Sequence, residues 1–277
     1  MVRDVGRERN IAYNNAPHLV RPEKMLLPLT KNGNFKKWQM SWALWLYDLL
    51  AGVKKEDRRR ILSRQDTLKT EPLLKKEKII GAGYYAEYRT DDSRLTISII
   101  KTAKEYKGIA INYLEAIKIK KNNLFIINCI DKLNNHNYEI KSKSIVNATG
   151  PWVDLTQGLE GTKENSKIRL SKGVHIVINQ DVLPIKQSVY FDVPDKRMCF
   201  AIPRGEVTYV GTTDNDYKGH PDDVNTIDKD ISYLINAINS TFHNINLTKK
   251  DVISSWAGLR PLIEEKGKKS TEISRKD

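Results

Sequence analysis

Cysteine is scarce in this chain of 277 residues, where only Cys129 and Cys199 occur. Each lies inside an apolar run, "FIINCI" and "RMCFAI", so both read as buried thiols and a disulfide framework is excluded. A reducing cytoplasm is the compartment expected from that usage. Long hydrophobic runs are also missing. The longest, "WALWLYDLLAGV", is short and broken by Asp48, too little to span a bilayer. The opening "MVRDVGRERN" lacks the apolar core of a signal peptide. There is no helix-turn-helix pattern, zinc-ligand spacing or aromatic RNA-binding motif, so nucleic acid is not an expected partner. No internal repeat occurs. Asp214 and Asp216 in "YVGTTDNDYKG" suggest half of a calcium loop, but its third acid and closing Glu are absent, and no metal is expected.

What is present suits a folded protein of one large or two ordinary domains, with 39% hydrophobic and 29% charged residues. The formal charge is +13. A balance of that sign favours anionic partners: nucleic acid, an acidic membrane surface, or phosphorylated and carboxylated small molecules. A Lys-rich solvated surface is the plainer account, because the charge is spread along the chain.

Along the chain, "NFKKWQMSWALWLYDLLAGV" has helical spacing. Trp38, Trp42, Trp45, Leu46, Leu49 and Val53 share a face, and Gly52 marks the expected end. Three Trp on one side can dock on a membrane interface, although such a stripe is more commonly packed core. "KKEDRRRILSRQDTL" reads as a charged, exposed helix or linker. A second helix is predicted from Asp92, capped by Asp91 or Asp92 and ending before Gly108. Three β-rich runs follow, "IAINYLEAIKI", "LFIINCIDKL" and "YEIKSKSIVNAT". Beyond Ile168 the strands "GVHIVI", "SVYFDV", "MCFAIP" and "EVTYVGTT" are predicted, with a hairpin turn at Pro203-Arg204-Gly205. A third helix from about Thr226 presents Ile227, Ile231, Leu234, Ile235, Ile238 and Phe242 on one face.

"KIIGAGYYAE" matches the dinucleotide pattern G-x-G-x-x-A at Gly81 to Ala86. A working turn needs a buried strand before the glycines and a helix behind them. Here "KKEK" precedes, and two Tyr with "EYRTDD" follow, which reads as extended. The pattern therefore fails as a phosphate cradle. "IVNATGPWVD" carries more: an apolar strand ends in Ala-Thr-Gly, Pro151 stops its pairing, and Gly150 admits close approach of another group. Arg260 in "SWAGLRPL", at a bend before Pro261, offers a forked donor set to phosphate or carboxylate, or else pairs with a surface acid. His175 lies among apolar neighbours in "GVHIVI", where a satisfied core histidine is the commoner outcome.

Together "YYAEYRTDDSRL", "IVNATGPWVD", "RLSKGVHIVI", "YVGTTDNDYKG" and "SWAGLRPL" resemble, in order and rough spacing, the FAD-dependent glycerol-3-phosphate dehydrogenases, above all the bacterial aerobic enzymes. The resemblance covers nearly the whole chain. It implies an α+β/α/β fold in which a partial FAD-binding α/β domain is interleaved with an antiparallel-sheet substrate domain. The implied boundaries are residues 1–88 for the first, helical part of the substrate (cap) domain and 89–155 for the middle of the FAD domain. Residues 156–259 form the second part of the substrate domain, and 260–277 begin a return to the FAD domain. "GAGYYAE" becomes the loop leading back to the flavin domain.

The implied activity is oxidation of sn-glycerol 3-phosphate to dihydroxyacetone phosphate, with electrons passed through FAD to a quinone. The implied setting is the inner face of the cell membrane, as a peripheral protein, with room for a homodimer in the complete protein. Thr149 and Gly150 match the strand end that approaches FAD. His175 matches a histidine placed for proton removal from the C2 hydroxyl, and Arg260 an arginine facing the substrate. Lys172 and Arg204 lie nearby in sequence without an implied role. The family's opening G-x-G-x-x-G turn and its later Gly-, Lys- and Thr-rich segment have no match. The chain therefore reads as an internal portion that does not hold FAD tightly or turn over by itself. A non-catalytic remnant of a split gene, or a basic module for membrane or nucleic acid, stays open as the alternative.

Overall fold

The structure, a computed structural model, describes residues 2–31, 33–34, 36–50, 58–161 and 168–263. The fold is mixed α+β, as expected. Two compact units emerge: unit 1 comprises Met1–Thr96, Gly173–Thr213 and Asn225–Ala257, and unit 2 comprises Ile97–Lys172, Asp214–Val224 and Gly258–Asp277.

Unit 1 is built on a mixed sheet. Strands β1 (Val20–Thr30) and β3 (Ile79–Thr90) pair antiparallel along their whole lengths, with β2 (Arg60–Leu62) on the far edge of β3. The other edge of β1 meets β8 (Ser188–Asp192) in parallel at Met25 and Leu26 only. From β8 the sheet continues antiparallel through β9 (Met198–Arg204) and β10 (Val207–Gly211) to β7 (Ile168–Asn179). Alternation of side chains divides this sheet into two faces. On one face Leu26, Val174, Ile176, Ile178, Val189, Cys199, Ala201 and Val210 form a core with Leu234, Ile235, Ala237, Ile238 and Phe242 of the predicted third helix, α6 (Asp228–Thr241) and its C-cap. Each Leu, Ile, Val or Phe side chain among them contributes roughly 1.5–3 kcal/mol by leaving water. On the other face Met25, Leu27 and Leu29 pack with Met40, Leu44 and Tyr85.

Helix α1 (Val2–Asn15) opens the chain, and α2 (Lys37–Leu50) is the tryptophan helix. Its expected core face is turned the other way. Met40 and Leu44 are buried, while Trp38, Trp42, Trp45 and Leu46 are 64%, 67%, 45% and 48% exposed. The cause lies on β3: a Cβ at Gly83 would stand 2.8 Å from Leu44 Cδ1, so the missing side chain is what admits this face of the helix. Gly52 and Val53, and the side chain of Leu49, lie outside the described residues.

The glycine-rich stretch is neither a nucleotide turn nor a loop, but the first half of β3. The segment 1–88, expected to be helical, thus also carries two of the longest strands. The predicted hairpin turn starts two residues later: Arg204 pairs with Val207, leaving Gly205 (φ +65°) and Glu206 as the loop and Pro203 within β9.

Short helix α3 (Arg64–Thr70) begins at Ser63, whose hydroxyl accepts from Asp66 N at 3.1 Å. It ends at Glu71, which is fully buried and accepts from Leu73 N at 3.2 Å and Lys186 N at 2.8 Å. Burial raises this carboxyl above its ordinary value, against the smaller opposing effect of those two N–H groups. A raised folded-state value means the contribution of Glu71 is full in acid and is lost as pH rises through that value. Glu71→Ala is expected to cost about 2 kcal/mol by orphaning two amides. Denaturant titrations should show the gap to the parent narrowing as pH rises above about 4.5.

Unit 2 contains the antiparallel sheet of β4 (Leu114–Lys121), β5 (Phe125–Asp131) and β6 (Asn137–Ser142). The predicted second helix is α4 (Asp92–Glu105), with Asp91 Oδ1 accepting from Arg94 N at 3.2 Å. The strand expected at Ile145 to Thr149 is absent. Those residues have no regular structure, and Val146 is 88% exposed. A parallel strand exists only through its neighbours, and none pairs with it among the described residues. After it come a single 3₁₀ turn at Gly150–Trp152 and α5 (Val153–Gly158). Both cysteines are buried free thiols, as read from the sequence.

Candidate functional site

In unit 1 the site is built around His175. Its neighbours Val174 and Ile176 point into the core, which sends the imidazole to the opposite face of β7. There it stacks on Trp256, with centroids 4.8 Å apart and planes at 9°, and meets Tyr209 edge-on at 6.3 Å. Tyr209 also packs against Trp256 at 5.8 Å. Directly across the ladder from His175 is Gly211. A Cβ there would collide with Cδ2 of the imidazole and lie 2.5 Å from Nε2. Two flat surfaces, indole and peptide, thus set the plane of the imidazole. Burial raises the Tyr209 phenol above its ordinary value and keeps it neutral, a donor rather than an anion.

In unit 2 the site is a chain of ions. Arg260 does not sit at a bend: β12 (Val252–Ile263) runs straight through it and Pro261. Its Nη1 is 3.4 Å from Asp214 Oδ1, and the same oxygen accepts from Ser171 Oγ. Beside it the Arg169 guanidinium holds Asp216 through two N–H groups, Nε at 2.9 Å and Nη2. Strand β11 (Asn215–Tyr217) fixes this register against the start of β7, Asn215 opposite Lys172 and Asp216 opposite Ser171. The two aspartates considered for calcium each hold an arginine. The sequence contained the signal for Asp214, an acid closing a "GTTD" strand end, but spacing along the chain does not reveal a cross-strand partner. Trp256 was legible only as part of "SWAGLRPL", and Gly211 only as a glycine inside a strand.

Thr149 and Gly150 form a separate feature of unit 2. Thr149 Oγ1 donates to Asn147 Oδ1 at 2.7 Å and lies 3.1 Å from Thr156 Oγ1, while Asn147 Nδ2 donates to Val153 O at 2.9 Å. Gly150 has φ +57° and open space where a Cβ would be. That opening suits the approach of a flat group to the backbone. The flavin implied by the sequence also needs a pyrophosphate cradle, and "GAG" cannot supply one. Cβ atoms at Gly81 and Gly83 would stand 2.8 Å from Leu62 O and Leu44 Cδ1, so both glycines serve close packing within unit 1. Among the described residues, then, Gly150 leaves room for a flat group and no glycine turn cradles a pyrophosphate. A cavity of about 460 Å³ in unit 1 is lined by Thr30, Lys75, Asp192, Lys196 and Thr241 among others, none of them a candidate residue.

Comparison with known proteins gives the family. The FAD dependent oxidoreductase (DAO) family matches residues 2–271. An aerobic glycerol-3-phosphate dehydrogenase of Staphylococcus aureus (strain MRSA252) is 50% identical over 281 aligned positions, covering 100% of this chain and 50% of the relative. Glycerol-3-phosphate dehydrogenase from Bacillus halodurans, solved in complex with FAD, superposes with a TM-score of 0.81 at 40% identity, covering 94% of this chain and 48% of that one. L-alpha-glycerophosphate oxidase from Mycoplasma pneumoniae, with FAD bound, superposes with a TM-score of 0.74 at 18% identity over 95% of this chain and 69% of that one, a likeness of fold. The chain thus spans about half the length of the curated relatives it matches. With a family match from end to end and strands that superpose on a flavoenzyme of like sequence, this chain belongs to the FAD-dependent oxidoreductase (DAO) family.

Proposed function

We propose that the chain supplies the substrate-handling part of an enzyme that oxidises sn-glycerol 3-phosphate to dihydroxyacetone phosphate. The observation that carries this reading is the 50% identity to an aerobic glycerol-3-phosphate dehydrogenase along the full chain. FAD, when bound, supplies the hydride acceptor for this chemistry, and a quinone at a membrane surface is the onward electron acceptor. Unit 1 then serves as substrate domain, and unit 2 belongs with the flavin.

His175 takes the proton of the C2 hydroxyl. An imidazole held flat against Trp256 keeps one orientation through the reaction, which is what a general base needs. Arg260 offers the forked guanidinium to phosphate or to the oxygen on which charge builds up, and Asp214 limits the rotation of that fork. Thr149 and Gly150 line the approach to the flavin.

The test is dye reduction by the purified chain supplied with FAD, alone and mixed with the flavin-binding part of the Bacillus halodurans relative. Turnover that depends on glycerol 3-phosphate, with none on unphosphorylated glycerol, is the expected result. Turnover indifferent to the phosphate would overturn the reading. In the active mixture Arg260→Lys is expected to raise KM for glycerol 3-phosphate about tenfold with a smaller change in kcat, because a point charge replaces a bidentate donor.

A further inference from the structure

Helix α2 presents an unusual surface. Trp38, Trp42 and Trp45 recur at spacings of four and three residues and lie with Leu46 on the side away from Met40 and Leu44. Trp42 and Trp45 meet edge-on at 5.6 Å, and with Ser41 and Arg59 they line a shallow recess of about 230 Å³. Arg59 is tied to the helix, its Nε donating to Ser41 O at 3.1 Å. The opposite face is locked onto β3 by Met40 and Leu44, so the helix cannot roll to bury its indoles. Three adjacent exposed Trp exceed what a solvated surface usually carries and mark a surface that meets something.

Charge decides what that partner is. Exposed Lys36 and Lys37 open the helix, and exposed Arg58 and Arg60 flank Arg59 in the chain. No acid occurs at 36–46 or 58–60, and the acids between those stretches are Asp48, Glu56 and Asp57. Indole rings with Arg59 lining their recess, and with exposed Lys36, Lys37, Arg58 and Arg60 nearby in the chain, have the chemistry of the headgroup layer of an anionic bilayer: the rings sit at the boundary between polar and apolar, and the cations meet acidic lipid. Among the described residues no helix is long and apolar enough to cross a membrane, so α2 would lie on the surface. We propose that the tryptophan face of α2, with Lys36, Lys37 and Arg58–Arg60, is a docking surface for an anionic lipid bilayer. This rests on the membrane-surface reading given above and assigns it to one face.

The test uses the chain as it stands and vesicles of phosphatidylcholine with or without phosphatidylglycerol. The parent chain is expected to sediment with the anionic vesicles, to blue-shift its Trp emission on binding, and to be released by salt. The combined variant Trp38→Gln, Trp42→Gln, Trp45→Gln changes only exposed residues, and its circular dichroism and melting temperature should match the parent. It is expected to bind about tenfold more weakly, and Lys36→Glu with Lys37→Glu to lose the preference for anionic vesicles. Equal binding by parent and Trp variant would overturn the assignment to α2 while leaving the membrane reading intact. Failure of the parent to bind any vesicle would overturn both. A change of oligomeric state in the Trp variant, with vesicle binding unaltered, would make this face a contact between copies and also overturn the proposal.

Discussion

Gly211→Ala is expected to lower turnover in the active mixture by about a hundredfold, because the new methyl group must displace the His175 imidazole. The collision is with the imidazole itself, at Cδ2 and Nε2. The imidazole has nowhere to retreat on its far side, where Trp256 is stacked 4.8 Å away. The backbone cannot give way either, since Val210 beside Gly211 is fully buried in the core shared with α6. The change should also cost about 1–3 kcal/mol of stability by overpacking. Gly258→Ala is the control, because a Cβ there meets nothing within 4 Å. Thermal melting of both variants, read beside dye reduction, separates a displaced base from a damaged fold. If Gly211→Ala kept full turnover, the stacked position of His175 would not be its working position.

Phe242→Ala is expected to remove about 3–5 kcal/mol, enough to leave much of a marginally stable chain unfolded. Phe242 is fully buried, meets Phe191 edge-on at 5.6 Å, and closes α6 as its C-cap. Its backbone pairs with Leu74 in an isolated bridge. The side chain thus joins helix, sheet and the segment after α3 at one point, and no neighbour can collapse into the space without leaving another contact. Urea titration followed by circular dichroism gives the value directly; a loss below about 1 kcal/mol would mean the core is not closed at this end.

Helices α2, α4 and α6 and the strands β7 to β10 were legible because their patterns are local. Leu234, Ile235, Ile238 and Phe242 recur at helical spacing, and "GVHIVI" alternates along a strand. Strand β1 was not foreseen, and its Pro22 and Pro28 are residues that ordinarily break a strand. Both are tolerated there because pairing to β8 is confined to Met25 and Leu26. The tryptophan face was misjudged because periodicity finds an apolar stripe but does not say which side another element will cover. In α2 the decision belonged to Gly83, which is remote in sequence. His175 and Arg260 were nameable through motif order, whereas Trp256, Gly211 and Asp214 owe their importance to cross-strand neighbours and needed coordinates.

The short parallel seam between β1 and β8 also bears on synthesis. Met25 and Leu26 leave the ribosome long before their partners Ser188 and Val189. At ordinary elongation rates the wait is on the order of ten seconds. Over that interval the β1–β3 pair can form, but its β8-facing edge stays uncovered while the chain between Thr90 and Ser188 is made. An uncovered edge recruits other strands. Yield in the cell should then depend on chaperone supply and on translation speed through that interval, even when the finished fold is sound.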